Sequence, residues 1–406
     1  MISFDNTEYA FAYKTNKELK GARFLFSSMA NSFLVTLGLR LMPAVIKWRI
    51  PFSKSMIRKT IFSQFVGGET LEQTSQVADK LEGYNVQVIL DYGVEGGDDG
   101  DAGYDNATLE FIKVIDYASS QKNIPFISIK VTGIVRFSLL EKIDAAMHNC
   151  EGSLINRYNE IISGKLSTEE KEEWQRAVKR MLKICEEANQ KNIGVLVDAE
   201  ESWIQDPVDA LTILMMDMFN KEKAVVYNTI QLYRHDRLQF LKDSFEASTK
   251  RAFILGAKLV RGAYMEKERK RAELNNYTSP IQPGKHATDT DYNKAVEFSI
   301  TNIEKIATII ATHNEESNLY ATRLLDEKGI SHHHKYIHFS QLYGMSDNIT
   351  FNLAREGFSV SKYLPFGPIK DVIPYLMRRA QENSSVAGQT SRELDLIEKE
   401  LKRRKQ

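Results

Sequence analysis

The sequence predicts an α/β protein whose core is a TIM-type (β/α)8 barrel, expected to be distorted, with an N-terminal helical appendage. From about residue 84 onward, eight short runs rich in β-branched residues recur, and each stops at a polar residue. Longer amphipathic stretches separate the runs, so we expect strands that alternate with helices and pair in parallel. A chain of 406 residues has room for such a barrel, which needs about 250 residues, and for additional helices.

The eight runs define the predicted strands in chain order. They are Val86–Asp91, Phe126–Val131, Ile193–Asp198, Val225–Gln231, Ala257–Arg261, Ile306–His313, Tyr336–Leu342 and Phe358–Tyr363. Helical spacing of apolar residues predicts helices at Leu71–Tyr84, Glu169–Gln190 and Asp236–Leu255. No Gly-x-Gly-x-x-Gly turn follows any of these strands, which favours a closed barrel over a dinucleotide-binding open sheet. We therefore expect a helical appendage at 1–83, the barrel at 84–390 and a charged C-terminal tail at 391–406.

The composition excludes several functional classes. Apolar residues make up 42% and charged residues 27% of the chain, as in ordinary globular proteins. Lys+Arg and Asp+Glu are equal at 54 each, so no net field favours nucleic acid as a partner. The only cysteines, Cys150 and Cys185, are too few for a disulfide framework. The N-terminus carries Asp5, Glu8 and Glu18 and is unlike a secretory or transit segment, so we expect a cytoplasmic protein.

An uncharged stretch from Phe24 to Leu39 is followed by Arg40, Lys47 and Arg49. The stretch is shorter than the roughly 20 apolar residues that cross a bilayer, and it contains three serines and an asparagine. Two interpretations of residues 24–59 stay open: helices that pack on the body of the protein, and a peripheral contact with the inner face of a membrane.

The polar residues at the strand ends are the first candidates for a site, because active sites of such barrels lie where the strands end. Positive and negative groups converge there, which points to a zwitterionic or multiply charged ligand. These residues are Asp91, Lys130, Asp198, Gln231, Lys258 with Arg261, Thr312 with His313, Gln341, and Lys362 with Tyr363.

A helix predicted over Asp371–Asn383 supplies a second candidate. At helical spacing, Tyr375, Arg378, Arg379 and Glu382 share one face. Guanidinium groups present paired donors in a plane, so adjacent arginines after the last strand suit a carboxylate ligand. The alternative is an exposed surface helix with incidental arginines.

Several segments resemble the proline dehydrogenase family, in the order in which that family has them. Lys258-Leu-Val-Arg-Gly-Ala-Tyr-Met-Glu-Lys-Glu-Arg269 resembles the family's fifth-strand signature, and Tyr375-Leu-Met-Arg-Arg-Ala-Gln-Glu-Asn383 resembles its substrate-binding helix. The resemblance extends over roughly residues 60 to 390. Shorter matches are Asp91-Tyr-Gly-Val-Glu95, Ile129-Lys130, Asp198-Ala-Glu-Glu201, Ile230-Gln231-Leu-Tyr233, Ala311-Thr-His-Asn314, Leu342-Tyr-Gly-Met345 and Tyr363-Leu-Pro-Phe-Gly367.

The resemblance implies a monofunctional, FAD-dependent enzyme that oxidises L-proline to Δ1-pyrroline-5-carboxylate and passes electrons to a quinone. It implies that Arg378 and Arg379 bind the proline carboxylate and that Glu95 pairs with Arg378 as a gate. The remaining pocket residues would be Lys130, Asp198, Tyr264, Leu342, Tyr363 and Tyr375. FAD would be held by Gln231, Lys258, Val260, Gly262, Ala263, Thr312, His313 and Glu382.

This sequence departs from the bifunctional bacterial members of the family at Lys258 and Arg261, where they have Arg and Lys. It also has Met265 and Tyr343 where those members often have Trp and His. The exchanges keep positive charge at the flavin but change which groups can donate hydrogen bonds to it. The sequence leaves the oligomeric state and the choice between proline and hydroxyproline open.

Other patterns carry less weight. His332-His333-His334 with His338 lacks carboxylates in register, so we interpret it as a solvated loop and predict no metal site. Gly93–Asp105, rich in Gly and Asp, is interpreted as a mobile lid. Two other functions stay open: a flavin-dependent barrel reductase that uses a nicotinamide, and a flavin-free scaffold that contacts membranes through Phe24–Leu39.

Overall fold

A computed structural model describes residues 2–31, 35–36, 53–93, 100–385 and 389–406. Eight strands form a closed parallel barrel in chain order, which confirms the predicted fold class. The strands are β1 (Gln87–Tyr92), β2 (Phe126–Ile129), β3 (Gly194–Val197), β4 (Val226–Gln231), β5 (Leu255–Val260), β6 (Ile306–Ala311), β7 (Ile337–Leu342) and β8 (Val360–Phe366).

The chain divides into two compact units, each described by itself below. Unit one comprises residues 1–94 and 339–406, and unit two comprises residues 95–338. In unit one the helices are α1 (Thr7–Ala10), α2 (Asn16–Met29), α3 (Ser53–Ile57), α4 (Ser63–Phe65) and α5 (Leu71–Glu82). Its later helices are α15 (Asp347–Arg355), α16 (Ile369–Ser385) and α17 (Gln389–Arg403).

Unit two contains strands β2 to β6 and the helices that connect them. These are α6 (Gly100–Ser119), α7 (Phe137–Met147), α8 (Leu154–Gly164), α9 (Thr168–Lys191), α10 (Gln205–Phe219), α11 (Arg237–Lys250), α12 (Met265–Leu274), α13 (Lys285–Thr301) and α14 (Glu315–Glu327). The 24-residue helix α9 begins with a capping box in which Ser167 and Glu170 bond each other's backbone amides. It ends at Asn192, whose left-handed backbone (φ 59°) terminates the helix.

Strand boundaries from the sequence hold to within about three residues, and two differences have a physical cause. The helix predicted to reach Leu255 ends at Lys250, because Leu255 already pairs with Ile306 as the first residue of β5. Strand β8 runs on to Phe366, past its predicted end at Tyr363, since Pro365 and Phe366 continue the pairing with β1. Lys362 therefore lies inside β8 and not at its end.

The core of unit one is one apolar cluster that includes residues of α2, α16 and α17. Phe26 of α2, Leu376 of α16 and Ile397 of α17 are each at most 1% exposed. Residues 391–406, the predicted tail, consist largely of the amphipathic helix α17, whose apolar side joins this cluster.

Candidate active site

Lys258 and Asp198, which the sequence assigns to the flavin and to the substrate pocket, form an ion pair in unit two. Lys258 lies in β5 and Asp198 follows β3, so the pair spans the intervening strand β4. The Lys258 side chain is 6% exposed and that of Asp198 is 15% exposed. An ammonium group shielded from water in this way depends on its carboxylate partner for compensation.

Gln231 is the last residue of β4. Among the described residues, the nitrogen of its side-chain amide has a hydrogen-bond partner and the oxygen has none. Its Nε2 donates to the backbone oxygen of Glu200 at 3.1 Å. Its Oε1 is buried and has no hydrogen-bond partner within the part of the chain that the structure describes. A buried amide oxygen without a donor carries a desolvation penalty of about 1–3 kcal/mol, which a bound ligand with an N–H donor would relieve.

Glu200 is a buried carboxyl group that the sequence analysis did not select, although it lies in the quoted Asp198-Ala-Glu-Glu201 segment. Both of its carboxyl oxygens lie 2.9 Å from the hydroxyl of Thr132. Burial raises the pKa of Glu200 to about 7, and the positive charge of Lys130 opposes that rise. Lys130, directly after β2, is thus electrostatically coupled to this carboxyl group.

The segment after β5 leaves backbone open to a ligand. Gly262 and Ala263 are exposed, and both lie between Val260, the end of β5, and Tyr264, which precedes α12. Gly262 has φ of +138°, and a Cβ built on it would lie 2.4 Å from the ring of Tyr233. This position therefore requires glycine.

Thr312, directly after β6, is held by Arg261. The guanidinium of Arg261 donates to the Thr312 hydroxyl at 2.5 Å and to the Ser317 hydroxyl at 3.0 Å, and it pairs with Asp289 at 2.8 Å. It also lies over the ring of Tyr292 at 4.4 Å. The sequence placed Arg261 among the polar strand-end candidates and gave it no partner, whereas in the structure it holds the hydroxyl of Thr312. His313 follows Thr312 and is half-buried.

In unit one, the predicted cationic helix is confirmed as α16, and on it Arg379 contacts both Glu382 and Tyr375. Arg379 pairs with Glu382 through two contacts of 2.5 Å and 2.6 Å. The Arg379 guanidinium also lies 5.2 Å from the centre of the Tyr375 ring. Arg379 is 6% exposed, and Arg378 beside it is half-buried. A buried, pre-oriented guanidinium is the geometry expected of an anion-binding residue.

Tyr375 contributes a second polar group to this helix face. Its hydroxyl is buried and has no hydrogen-bond partner among the residues that the structure describes. Burial raises the pKa of Tyr375 well above its usual value, whereas the Arg379 charge lowers it. The hydroxyl therefore stays protonated near neutral pH and can donate a hydrogen bond.

Leu342 and Tyr363, the other pocket residues of unit one, are neighbours on β7 and β8, and Leu342 is the last residue of its strand whereas Tyr363 lies inside β8. They pair in the strand register, and the backbone amide of Tyr343 donates to the backbone oxygen of Tyr363 at 2.9 Å. Both side chains are half-buried. Lys362 was expected beside them at a strand end, which is wrong. Because successive side chains of a strand point to opposite faces, Lys362 is directed away from Tyr363 and pairs with Asp347.

Two further expectations concern the segment after β1. Glu95, the predicted gate, lies outside the described residues, as does 94–99 of the predicted lid. The second half of that predicted lid is helical, since α6 begins at Gly100. In unit two, Asp101 and Asp105 of this helix pair with Arg180 at 2.8 Å and 2.7 Å.

The histidine-rich segment was interpreted as a solvated loop, and for His338 that interpretation is wrong because His338 is a buried residue of a strand. His332 contacts Asp326 at 2.8 Å, and His338 lies buried in β7, where burial lowers its pKa to about 3. A separate group of potential metal ligands in unit two consists of Asp144, His148 and Asp206. Arg157 already pairs with Asp206 at 3.0 Å.

Comparison with known proteins decides the family. A family model described as proline dehydrogenase matches residues 74–392, close to the range in which the sequence motifs lie. The chain belongs to the proline dehydrogenase family. This is a family of oxidoreductases, and the motif-based assignment is confirmed.

Two relatives and one solved structure set the extent of the likeness. Proline dehydrogenase 1, mitochondrial, of Dictyostelium discoideum is 33% identical over 377 residues, covering 86% of this chain and 65% of that protein. Proline dehydrogenase 2, mitochondrial, of Arabidopsis thaliana is 33% identical over 375 residues, covering 86% of this chain and 79% of that protein. Proline utilization A from Bdellovibrio bacteriovorus has the same fold, with a TM-score of 0.70 at 18% identity. That match covers 93% of this chain and 38% of that one.

The chain thus covers just under two thirds of the Dictyostelium relative. Both eukaryotic relatives carry a mitochondrial designation in their names. Among the described residues of this chain, none of the helices has the length and apolar character required to span a bilayer.

The residues present fit the flavin that the family implies. Gln231 offers an unsatisfied buried amide oxygen, Lys258 offers a shielded cation, and the exposed backbone at Gly262 and Ala263 can be approached closely. A flavin ring carries an N–H donor and carbonyl acceptors at one edge, which are the groups that an amide and a cation bind.

Proposed function

We propose that this chain is a flavin-dependent dehydrogenase that oxidises L-proline to Δ1-pyrroline-5-carboxylate, the first step of proline catabolism, with a quinone as the electron acceptor. The observation that carries the proposal is the buried guanidinium of Arg379, fixed by Glu382 and Tyr375 on α16 next to Arg378. An arginine pair suits the one carboxylate of proline, and the family membership of the chain supports that substrate.

In this proposal Arg378 and Arg379 bind the carboxylate, and binding fixes the orientation of the proline ring. Leu342, Tyr363, Tyr375 and Tyr264 shape the pocket, and Lys130 and Asp198 complete its polar part. Fixing the substrate in one orientation removes an entropic barrier and is the main contribution that a dehydrogenase scaffold makes.

The cofactor in the proposal is FAD, held by Gln231, Lys258, Val260, Gly262, Ala263, Thr312, His313 and Glu382. When bound, the flavin supplies the hydride acceptor for the ring carbon next to the proline nitrogen. Proline loses a hydride and the nitrogen loses a proton, so the product carries a C=N bond. Lys258, which Asp198 holds in place, would offer the bound flavin a positive charge that stabilises negative charge on its ring.

We also propose a cytoplasmic protein with a peripheral membrane contact, since a quinone resides in the bilayer. Phe24 on α2 is 69% exposed and Met56 on α3 is 64% exposed, which supports an apolar contact in this part of unit one. Residues 32–34 and 37–52 of the predicted contact lie outside the described residues.

Anaerobic titration tests the function. The purified protein should be yellow, acid denaturation should release all of the flavin, and L-proline added without oxygen should bleach the flavin band. NADH should leave the band unchanged. Bleaching by NADH and not by proline would favour a nicotinamide-dependent barrel reductase, and a colourless protein that takes up no added FAD would contradict a flavoenzyme.

A further inference from the structure

Unit one contains a buried charge cluster that the proposed reaction does not use. Asp347 is 2% exposed, and the Nζ atoms of Lys14 and Lys362 each lie 2.9 Å from one of its carboxylate oxygens. The Tyr13 hydroxyl donates to Asp347 at 2.8 Å. Glu393, 5% exposed, accepts a hydrogen bond from the backbone amide next to Asp347. Segments distant in sequence thus meet at one buried point.

The cluster surrounds the loop that follows β7. Lys362 donates to the backbone oxygen of Met345 at 2.6 Å, and Glu393 accepts from the amide of Ser346. The loop is therefore held on one side by strand β8 and on the other by helix α17. It begins directly after Leu342, one of the proposed pocket residues.

Helix α17, which carries Glu393, also supports the helix that carries the arginines. The two helices pack together, and their apolar residues belong to a single buried cluster. From α16 the cluster takes Ile369, Val372, Ile373, Tyr375, Leu376 and Ala380, and from α17 it takes Leu396, Ile397 and Leu401. The face of α16 that includes Tyr375 therefore depends on α17 for part of its packing.

We propose that Glu393 is a positioning residue that anchors α17 to the loop after β7 and thereby holds α16, with Arg379, in its binding orientation. The inference rests on the proposed function, because it assigns the supported arginine to the proline carboxylate. Glu393 itself touches no proposed ligand-binding residue in the contacts described. Glu393 therefore acts on Arg379 only indirectly, through the packing of α17 against α16.

A carboxyl group at this position has a physical purpose that an apolar residue could not serve. The amide of Ser346 is a buried donor, and a buried donor without an acceptor is costly. An apolar residue at 393 would fill space but could not accept the hydrogen bond that this amide donates. Docking of α17 is therefore specified by one directional contact in addition to apolar packing.

Three variants of the full chain test the anchor. Glu393→Ala removes the acceptor, whereas Glu393→Gln keeps an oxygen acceptor of the same reach. Glu398→Ala is the matched control, since Glu398 is exposed on the same helix. Amide hydrogen exchange is measured first, with FAD present and without substrate. Glu393→Ala should raise exchange in α16 and α17 by roughly tenfold or more, and Glu393→Gln and the control should exchange like the unchanged protein.

Steady-state kinetics with L-proline test the positioning. In Glu393→Ala, KM should rise by roughly 2- to 30-fold, the range that such packing networks transmit, with kcat changed less than about twofold. If Glu393→Ala does not fold, Glu393→Asp, whose shorter side chain withdraws the acceptor, takes its place.

Each outcome decides a part of the inference. Unchanged exchange in Glu393→Ala would contradict the anchor, and so would a Glu393→Gln variant as impaired as the alanine variant. Raised exchange with unchanged KM would show that α17 is anchored but does not position Arg379, which overturns the proposal. If the unchanged protein does not oxidise proline, the exchange result still decides the anchor, so the two failures are distinguishable.

Discussion

Lys258 and Asp198 form an ion pair across the intervening strand β4, and both side chains are largely shielded from water. Removing one partner takes from the other an opposite charge that compensates it where water is largely excluded. We therefore predict that Asp198→Ala lowers the free energy of unfolding by about 2–4 kcal/mol. The double variant Asp198→Ala/Lys258→Met should lose less unfolding free energy than the two single variants lose together. Urea unfolding of the four proteins gives the coupling. Additive losses would show that the pair contributes nothing.

Gly262 should tolerate no side chain, because its φ of +138° and the ring of Tyr233 leave no room for a Cβ. Gly262→Ala should lower the free energy of unfolding by about 1–3 kcal/mol and weaken FAD binding. Gly164→Ala is the control, since nothing lies within 4 Å of the Cβ built there. Fluorescence titration of the apoprotein with FAD measures the affinity. Equal behaviour of the two variants would remove Gly262 from the proposed cofactor site.

Glu393 should make stability depend on pH near neutrality. Burial raises its pKa to about 7 from an ordinary value of 4.5. The folded protein then holds this proton more tightly than the unfolded chain, so the stabilisation is fully present below about pH 4.5 and is lost as pH rises through 7. Relative to Glu393→Gln, the unchanged protein should lose up to roughly 3 kcal/mol between pH 5 and pH 8. A constant difference in unfolding free energy across this range would contradict the raised pKa.

Phe24 provides a point test of the membrane contact. Its side chain is 69% exposed on α2, so a charge at this position should not disturb the core of unit one. Phe24→Glu should lower turnover with a quinone embedded in lipid vesicles several-fold and leave turnover with a soluble dye unchanged. Leu274→Glu, at a residue 71% exposed in unit two, is the control. If Phe24→Glu lowers turnover by the same factor with both acceptors, the result would favour helices that pack on the protein.

How far the sequence predicts the site depends on where each side chain points. The strand pattern predicts the barrel, because β-branched runs and helical spacing are local properties of the chain. The pattern also places Gln231 and Thr312 at strand ends, where the structure has them, whereas Lys258 lies two residues before the end of β5. It fails at Lys362, because β8 runs on three residues past its predicted end, so Lys362 lies inside the strand and not at its end.

Tertiary partners are the part that local patterns do not contain. The role of Arg261 depends on Asp289, Thr312 and Ser317, which come together only after folding. The sequence analysis assigned Glu393 to a charged tail. The alternation of charged and apolar residues there does not reveal which part of the protein the apolar side packs against. The structure shows that its helix closes the core of unit one.

The most direct test of the central claim is the Michaelis constant of Arg379→Met with L-proline. Methionine keeps an apolar stem and removes the donors, so the variant loses a charged hydrogen-bond pair of about 1.5–3 kcal/mol, or roughly ten- to a hundredfold in kcat/KM. Because the carboxylate is bound alike in the ground and transition states, the loss should lie mainly in KM. Arg378→Met should behave similarly, and Arg323→Met, at an exposed arginine of α14, should not change KM. An unchanged KM in Arg379→Met, with the helices intact by circular dichroism, would contradict the placement of the carboxylate on α16.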